Sequence, residues 1–304
     1  MSKKIIKNIT ASIQAQLKNA SKDQGVNFDY LLARYGIERF LFRLGLSDHK
    51  YNFILKGASL FTVWLGPSFR TTKDADFLCN GNSEPDYLVQ IFTDICKIEL
   101  EDALIFDLKS IKTREIRREL QYGGTCIMIT ARLGQIRIPL QFDIAFGDSI
   151  FPCAETVEYP TILNMEKPKI QIYPIYTVIA EKFEAMITLD LANSRLKDFY
   201  DIWILSEQFT LDYSTLITAL KKTFQRRETK FPNGLPAPLT DAFARDTNKQ
   251  IQWKAFIKKT HPKVAPDSLE ILISRIRTFM LPIINNEIRD GAQWTAADLW
   301  HIRK

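Results

Sequence analysis

Two stretches of this sequence carry most of the information about its fold: Lys56-Gly57-Ala58-Ser59 and Arg70-Thr71-Thr72-Lys73-Asp74-Ala75-Asp76-Phe77. Before the first stretch, Phe53-Ile54-Leu55 predicts a short strand, and residues 60–65 after it predict the first turns of a helix. The small residues between them predict a tight turn, and the free backbone N–H groups at the helix start would favour a phosphate. A strand, a phosphate-binding turn and a helix are therefore expected in that order.

Asp74 and Asp76 are two residues apart at the start of a second short strand. Residues i and i+2 of a strand point to the same face, with Cα atoms roughly 6.5–7 Å apart. Two carboxylates placed in this way suit Mg²⁺ or Mn²⁺, because such ions take carboxylate oxygens together with substrate phosphates. An Asp-x-Asp alone also occurs in solvated turns, but its combination with the small-residue turn and Arg70 predicts metal-assisted nucleotidyl transfer.

A third carboxylate, Asp143, lies late in another predicted strand. Residues 125–132 and 136–144 flank a tight link at Gly134 and predict a hairpin. Alternation in the second strand places the apolar residues on one face and Asp143 on the polar face. Burying an aspartate is costly unless it meets a cation or a hydrogen-bond donor. Asp143 is therefore predicted to complete a second metal position, and the alternative is a turn aspartate beside Gly147.

Five ordered segments resemble the motifs of the AbiEii/AbiGii family, and together they span about residues 52–205. The family consists of nucleotidyltransferase-fold proteins that act as toxins of type IV toxin–antitoxin and phage-defence systems. The resemblance therefore implies a nucleotidyltransferase that uses an NTP as substrate. The matching segments are Leu55-Lys56-Gly57-Ala58-Ser59, Arg70-Thr71-Thr72-Lys73-Asp74-Ala75-Asp76, Phe142-Asp143-Ile144, Ala180-Glu181-Lys182 and Lys197-Asp198-Phe199-Tyr200-Asp201-Ile202.

The resemblance also implies roles for individual residues. Lys182 would contact nucleotide phosphates, whereas the structural alternative is surface pairing with Glu181 or Asp201. Asp198 would either orient Lys182 or assist deprotonation of the acceptor. The implied catalytic residues are Asp74, Asp76, Asp143, Lys182 and Asp198, of which the first three bind metal. The implied nucleotide contacts are Gly57, Ala58, Ser59, Arg70, Thr72 and Lys182.

Two residues depart from the family pattern. Ala58 stands where the turn usually has a second glycine, and its methyl group limits how closely the backbone can approach a phosphate. Lys197 stands where an arginine is common, which keeps the charge but loses bidentate geometry. Altered nucleotide affinity is the expected consequence of the first departure.

Composition narrows the class of protein. The 304 residues are 46% hydrophobic and 25% charged, which are ordinary globular values. The sequence has no apolar run of 18 or more residues and no signal-peptide pattern, so a cytoplasmic protein without a membrane span is expected. The four cysteines lack CxxC pairing and are expected to be buried free thiols in mostly apolar surroundings. The three histidines are far apart, which gives little support to a histidine metal site or a Ser/His/Asp triad.

The net charge of +6 comes from 41 lysines and arginines and 35 acids. Two clusters account for much of the positive charge, and a basic face beside a catalytic cleft would attract a polyanion. The alternative is that each cluster is an ordinary solvated face. The clusters are Lys109, Lys112, Arg114, Arg117 and Arg118, and then Lys221, Lys222, Arg226, Arg227 and Lys230.

The spacing of apolar residues divides the chain into three segments with different predicted secondary structure. Residues 9–45 have apolar positions at helical spacing and predict helices that pack on a sheet. Strands and helices then alternate to about residue 150, and the pattern from residue 151 onward is helical. The predicted fold is therefore α/β (α+β), with a mixed nucleotidyltransferase-like sheet, N-terminal helices and a C-terminal helical lobe. Domains are predicted at 1–150 and 151–304.

Family analogy makes RNA the leading acceptor, with the 3′ end of tRNA favoured, and it implies a cognate antitoxin protein as a partner. Two alternatives remain open at this point. A protein nucleotidylating enzyme would share the metal site and use a Ser, Thr or Tyr acceptor. A non-catalytic NTP-binding regulator is compatible with Ala58 in the turn.

Overall fold

The computed structural model describes residues 8–66, 73–116 and 123–302. The chain separates into two compact units. The first contains Met1–Gly147 and Glu155–Ile172, and the second contains Asp148–Ala154 and Tyr173–Lys304. The domain boundary predicted between residues 150 and 151 stays a prediction.

The first unit combines a mixed sheet with helices. Asn27 begins the second of its helices, because its side chain accepts hydrogen bonds from the N–H groups of Asp29 and Tyr30. The small residues after the first strand form a 3₁₀ turn, Gly57–Ser59, as the sequence predicted. The helices are α1 (Ile9–Gln24), α2 (Phe28–Leu46), α3 (Leu60–Leu65) and α4 (Pro85–Cys96). The strands are β1 (Phe53–Lys56), β2 (Asp74–Cys79), β3 (Leu104–Ile116), β4 (Gly124–Leu133), β5 (Ile136–Phe146), β6 (Glu155–Glu158) and β7 (Lys169–Ile172).

Within the described residues, seven strands form one sheet in the order β3-β4-β5-β2-β1-β7-β6. Strands β3, β4 and β5 form an antiparallel meander, and β5 then pairs with β2 in parallel. Strand β1 is antiparallel to β2 and parallel to β7. The predicted mixed α/β fold and its hairpin around Gly134 are confirmed.

One face of this sheet is covered by helix α2. The Phe40 ring lies 4.3 Å from the Phe142 ring between centroids, and Gly36 packs directly against the side chain of Leu140. Phe92 of α4 joins the same aromatic cluster. Because Leu140 and Phe142 alternate with Gln141 and Asp143 along β5, α2 covers the face opposite to the polar side chains.

Strand β3 lies at one edge of the sheet and contains a bulge. Its pairing with β4 shifts between Asp107, opposite Thr130, and Lys112, opposite Met128. The hydroxyl of Ser110 fastens the bulge, because it donates to the carbonyl of Asp107 (2.6 Å) and accepts from the N–H of Thr130 (2.8 Å). A serine side chain therefore supplies a hydrogen bond that the interrupted ladder would otherwise lack.

The second unit is mostly helical, as expected, but residues 151–304 also contain short strands that the helical pattern did not predict. Strands β6 and β7 lie in the main sheet, and a separate small sheet has the order β10-β9-β8. None of the helices in the described ranges has the length and hydropathy needed to cross a bilayer. The helices are α5 (Ile175–Leu189), α6 (Leu196–Gln208), α7 (Tyr213–Arg226), α8 (Asp241–Arg245), α9 (Thr247–Thr260) and α10 (Leu269–Ile284). The strands are β8 (Leu211–Asp212), β9 (Ala292–Thr295) and β10 (Leu299–Ile302).

The cysteines correct one expectation. Cys79, Cys96 and Cys126 are buried free thiols, as predicted, whereas Cys153 is exposed. Cys126 is also not in apolar surroundings, because its thiol hydrogen bonds with the carboxylate of Asp143. Burial and the neighbouring Asp143 carboxylate raise the pKa of the Cys126 thiol, which therefore stays protonated at neutral pH.

Candidate active site

Three predicted acids lie on one face of the first unit's sheet. Asp76 on β2 and Asp143 on β5 are Cα partners across two parallel strands, and neighbouring strands lie about 4.8 Å apart. Asp74 is two residues before Asp76 and so projects from the same face, in register with Gln141. All three acids are partly exposed. The structure therefore places Asp74, Asp76 and Asp143 on two adjacent strands. Their role as metal ligands stays a prediction.

The row that contains Asp76 and Asp143 extends in both directions across the sheet. Lys56 on β1 is the register partner of Asp76, and Cys126 on β4 is the partner of Asp143. Arg114 on β3 is in turn the partner of Cys126. Five strands thus place one polar side chain each on a single line, with the two carboxylates at its centre.

Gly57 supports this row through its lack of a side chain. Its φ of +72° favours glycine, and a Cβ built on it would lie 2.0 Å from Oδ2 of Asp76. No side chain can occupy that space while Asp76 keeps its position. The backbone of the turn therefore lies directly against the carboxylate, and the first glycine of the motif is explained by both conformation and space.

The other turn residues have different environments. Ser59 is buried, and its hydroxyl lies 3.5 Å from the carbonyl oxygen of Asp74, which connects the turn to β2. Ala58 is partly exposed within the 3₁₀ turn. Arg70 and Thr72, the other predicted nucleotide contacts, lie outside the described residues. The nucleotide-binding assignments of this segment stay predictions.

The carboxylate of Asp143 is held by its neighbours on β5 and β4. Its Oδ1 accepts a hydrogen bond from Nε2 of Gln141 at 3.0 Å, and the Cys126 thiol also hydrogen bonds with the carboxylate. Arg114 Nη2 lies 3.9 Å from Cys126 Sγ. These contacts place Asp143 in a strand with fixed donors, which is an environment unlike the turn aspartate considered as the alternative.

The donor chemistry of these acids fits a hard divalent cation. Carboxylate oxygens on adjacent strands suit Mg²⁺, which is commonly held by one or two carboxylates with water and phosphate oxygens completing its shell. Across the described ranges, no three His, Cys, Asp or Glu side chains are gathered closely enough to form a metal cage of their own. The carboxylates of Asp74 and Asp76 are donors of the kind that a cation shared with a substrate takes, and their assignment as its ligands stays a prediction.

Lys56 is a site residue that the sequence reasoning missed. It ends β1, is only 6% exposed, and lies in register with Asp76. A buried lysine needs a compensating anion, and the register places a carboxylate beside it. The sequence did contain an indication of this. Lysine is almost never fully buried, so a lysine that ends an apolar strand immediately before the glycine turn is unusual.

In the second unit, Lys182 on α5 is held by two acids of α6. Its Nζ donates to Oδ1 of Asp198 at 2.8 Å and lies 2.8 Å from Oδ2 of Asp201. The Lys182 side chain is 15% exposed, whereas those of Asp198 and Asp201 are 1% and 0% exposed. Of the two partners named by the structural alternative, Asp201 contacts Lys182, but the contact is buried and not at the surface. Glu181 instead lies 3.5 Å from Arg227.

The environment of Asp198 favours a positioning role. Its second oxygen, Oδ2, accepts from Nε of Arg195 at 2.7 Å, so both carboxylate oxygens have cationic partners. Burial alone would raise its pKa, but Lys182 and Arg195 outweigh that effect and lower the pKa to about 2. A buried carboxylate with so low a pKa is a weak proton acceptor. Of the two predicted roles, orientation of Lys182 is the one that these contacts favour.

Replacing Lys182 by methionine is expected to lower the free energy of unfolding by about 3–5 kcal/mol, because two buried carboxylates lose their shared cation. Lys197→Met is the matched control, since this exposed lysine precedes Asp198, and it should change stability by less than about 0.5 kcal/mol. Urea unfolding followed by tryptophan fluorescence measures both. A Lys182→Met protein as stable as the control would contradict the prediction.

The same pair predicts how stability depends on pH. The pKa of Asp198 is lowered in the folded chain, from 3.8 to about 2, so its stabilising contribution is present above pH 4 and is lost as pH falls towards 2. Unfolding of the wild-type protein between pH 5 and pH 2 should show this loss. In Lys182→Met the lowering of the Asp198 pKa is reduced, so the Asp198 contribution to that slope should shrink.

Comparison with known proteins adds evidence of a different kind. A search of curated proteins found none that matches the chain. The crystal structure of JHP933 from Helicobacter pylori is 15% identical, covers 85% of this chain and 92% of its own, and has a TM-score of 0.48. A second H. pylori crystal structure, described as a "putative nucleotidyltransferase", is also 15% identical with a TM-score of 0.48, over 86% of this chain and 97% of its own.

The family comparison covers most of the sequence. The profile described as "Nucleotidyl transferase AbiEii toxin, Type IV TA system" matches residues 39–275. That range contains the glycine turn, the three acids of the sheet, and the lysine with its two aspartates. A match of this extent agrees with the five motifs found in the sequence and with the order of the strands that carry them. The chain therefore belongs to the AbiEii family of nucleotidyltransferase toxins of type IV toxin–antitoxin systems.

Proposed function

We propose that this nucleotidyltransferase toxin transfers a nucleotide from an NTP to the 3′ end of an RNA, with tRNA as the favoured acceptor and Mg²⁺ as the favoured metal. The observation that carries the proposal is the row in which Asp76 and Asp143 are register partners, with Gly57 directly against Asp76. Family membership supports the reaction type and implies an NTP substrate and a cognate antitoxin. The RNA acceptor and Mg²⁺ go beyond what the family match shows.

The residues of the first unit have distinct tasks in this proposal. Asp74 and Asp76 would hold the cation, and Asp143 would complete a second metal position on the acceptor side. When bound, the metal lowers the pKa of the attacking hydroxyl and offsets charge on the leaving group. The turn Gly57–Ser59 would receive the triphosphate beside Asp76. Lys182, in the second unit, remains the predicted phosphate contact, with Asp198 and Asp201 as its positioning residues.

The proposed reaction is a single displacement at phosphorus. The oxygen of the RNA 3′-hydroxyl forms a bond to the α-phosphorus while the bond between the α- and β-phosphates breaks. Pyrophosphate leaves, and the hydroxyl proton passes to water. Asp74, Asp76 and Asp143 would align the two oxygens on opposite sides of the α-phosphorus, because in-line displacement needs a fixed angle between them.

The proposal is tested by incubating the protein with Mg²⁺, total tRNA and each α-³²P-labelled NTP in turn, then separating the products by electrophoresis. The expected result is label on RNA of tRNA size, lengthened at the 3′ end, with release of pyrophosphate. Periodate oxidation of the tRNA destroys the terminal diol and should abolish labelling. An EDTA reaction and an Asp76→Asn reaction should both remain unlabelled.

Other outcomes would favour the alternatives. Label on a protein band, with unlabelled RNA, would identify a protein nucleotidylating enzyme. Thermal stabilisation by an NTP without pyrophosphate release would identify a non-catalytic regulator and would agree with Ala58 limiting the approach of a phosphate. Labelled RNA in which the added nucleotide lies at the 5′ end would also contradict the proposal.

A further inference from the structure

The sheet face that carries the three acids continues beyond them. On β4, Met128 and Thr130 lie on the same face as Cys126, and on β5 Pro139 and Arg137 lie on the same face as Asp143. Helix α2 covers the other face, as the contact between Phe40 and Phe142 shows. Strands β3, β4 and β5 therefore present a broad surface that begins at the acid row.

This surface is basic. We call its four cationic side chains the basic sheet face, and they are Lys112 and Arg114 on β3, Arg132 on β4 and Arg137 on β5. Lys112, Arg114 and Arg137 are exposed, and the Arg132 side chain is 42% exposed. Among the described residues on this face of β3–β5, Asp107 is the only acid besides Asp143, and it lies 3.7 Å from Arg132.

The register fixes the position of these cations relative to the acids. Arg114 is in the row of Asp143, two strands away, which corresponds to about 10 Å. Lys112 is in the next row, with Met128, Gln141 and Asp74. Arg137 is six residues before Asp143 on β5, or about 20 Å along the strand. The basic sheet face thus runs from the acid row outward over a length that accommodates several nucleotides.

The geometry of in-line displacement indicates which substrate lies over strands β5, β4 and β3. The glycine turn follows β1, so a triphosphate bound there lies on the β1 side of Asp76. The attacking hydroxyl must approach the α-phosphorus from the side opposite to the leaving pyrophosphate. That side is occupied by Asp143 on β5, followed by β4 and β3. The acceptor therefore approaches over the basic sheet face.

From these observations we infer that the basic sheet face binds the sugar-phosphate backbone of the acceptor RNA just upstream of its 3′ end. The inference rests on the proposed function, because it uses the same acid row. An ordinary solvated face needs no excess of positive charge. An RNA whose terminal hydroxyl must reach Asp143 would bind more tightly if cations contacted its phosphates along the way. A protein acceptor has no repeated negative charge for this surface to read.

The test is RNA binding measured separately from turnover. A 12-nucleotide RNA with 5′-fluorescein and a free 3′-hydroxyl is titrated with protein, and its fluorescence anisotropy is recorded at several salt concentrations. The variant is Lys112→Gln with Arg137→Gln, both at exposed positions that leave Arg132 and its contact with Asp107 intact. The matched control is Lys18→Gln with Lys22→Gln, which removes the same charge from two exposed positions on α1, a helix that contacts α2.

We expect the Lys112/Arg137 variant to bind the RNA roughly tenfold or more weakly at 50 mM salt, and the slope of log K against log salt to fall by about 0.7 for each lost phosphate contact. The control should bind like wild type. In transfer assays the variant should show a raised KM for RNA, with kcat and KM for the NTP unchanged. Circular dichroism and thermal unfolding check that both variants keep the fold.

Three outcomes would overturn the inference: equal binding by variant and wild type, equal weakening by variant and control, or no binding of the RNA by wild type. A failure of the proposed function has a different signature. In that case RNA receives no label from any NTP, while the anisotropy measurement still reports whether the basic sheet face binds RNA. If a protein is labelled and its labelling is unaffected by the variant, the acceptor is not RNA and the inference is wrong.

Discussion

Asp76→Asn is expected to reduce pyrophosphate release and nucleotide transfer by a factor on the order of a thousand or more, without unfolding the protein. Asparagine is nearly isosteric with aspartate but offers one neutral oxygen to a cation. Asp76 is the centre of the site, since it is the register partner of both Lys56 and Asp143 and lies against Gly57. Losing charge there removes electrostatic stabilisation at the reacting phosphate, and such losses are large.

Stability provides an independent measurement of the same change. Asp76→Asn relieves the repulsion among Asp74, Asp76 and Asp143 when no cation is bound, but it also removes the carboxylate beside the buried Lys56. The melting temperature in EDTA should therefore fall only modestly. With Mg²⁺ and an NTP, the wild-type melting temperature should rise and that of Asp76→Asn should rise much less. Asp48→Asn, at an exposed turn position after α2, is the control and should behave like wild type.

A variant that keeps more than about a tenth of wild-type transfer would contradict the proposed role of Asp76. Loss of transfer together with a much lower melting temperature in EDTA would indicate a structural role instead. Asp143→Asn should likewise lose transfer activity and the stabilisation by Mg²⁺ and NTP. Measuring KM for RNA as well then shows whether the lost activity comes from metal binding or from the approach of the acceptor.

Gly57→Ala is expected to cost at least a hundredfold in transfer, because the new methyl group would lie 2.0 Å from Oδ2 and 2.7 Å from Cγ of Asp76. The Asp76 carboxylate must move, and a displacement of about 1 Å in a catalytic group is enough for a loss of this size. The substitution also strains the backbone at φ +72°, which costs roughly 1–2 kcal/mol.

A matched glycine separates the two effects. Gly25, which follows α1, has φ +64° and open space around it, so Gly25→Ala carries the backbone strain without the collision. We expect Gly25→Ala to lose similar stability and to keep full transfer activity. Transfer rates and melting temperatures of the two variants, measured in parallel, show whether backbone strain or the collision with Asp76 lowers transfer. Equal activity losses would mean that backbone strain, and not displacement of the Asp76 carboxylate, causes the loss of transfer in Gly57→Ala.

Local pattern was sufficient to predict much of the first unit. The alternation in residues 136–144 placed Asp143 on the polar face, and the spacing of Asp74 and Asp76 placed them on a common face, both as found. Helices α1 and α2 followed from apolar periodicity in residues 9–45. These predictions succeeded because each depends on neighbours along the chain, which period-2 and period-3.6 patterns record directly.

Contacts between distant segments could not be predicted in the same way. That Asp76 lies opposite Lys56 on one side and Asp143 on the other depends on strand order, which residue alternation does not encode. Cys126 was grouped with the other cysteines as lying in mostly apolar surroundings, whereas its neighbour across the sheet is the carboxylate of Asp143. Only the resemblance to family motifs predicted that Asp74, Asp76 and Asp143 belong to one site, because periodicity does not relate distant strands.

The short strands in the second half of the chain were not predicted, and the cause is simpler. Strands β6, β7, β9 and β10 have four residues each, and β8 has two. An alternating pattern over four residues is indistinguishable from one turn of an amphipathic helix. Trp294 is buried and donates a hydrogen bond to the carbonyl of Ser206, so tertiary packing fixes β9 where local sequence does not.

The bulge in β3 has a consequence for how this toxin behaves at high concentration. β3 is a sheet edge of 13 residues, and long edges invite a second molecule to add its own strand and begin a polymer. Residues 108–111 fall out of line with β4, so the edge has no uninterrupted series of donors and acceptors to copy. We therefore expect the kink, with the exposed Lys109 and Lys112 beside it, to disfavour the addition of a second molecule's strand at this edge.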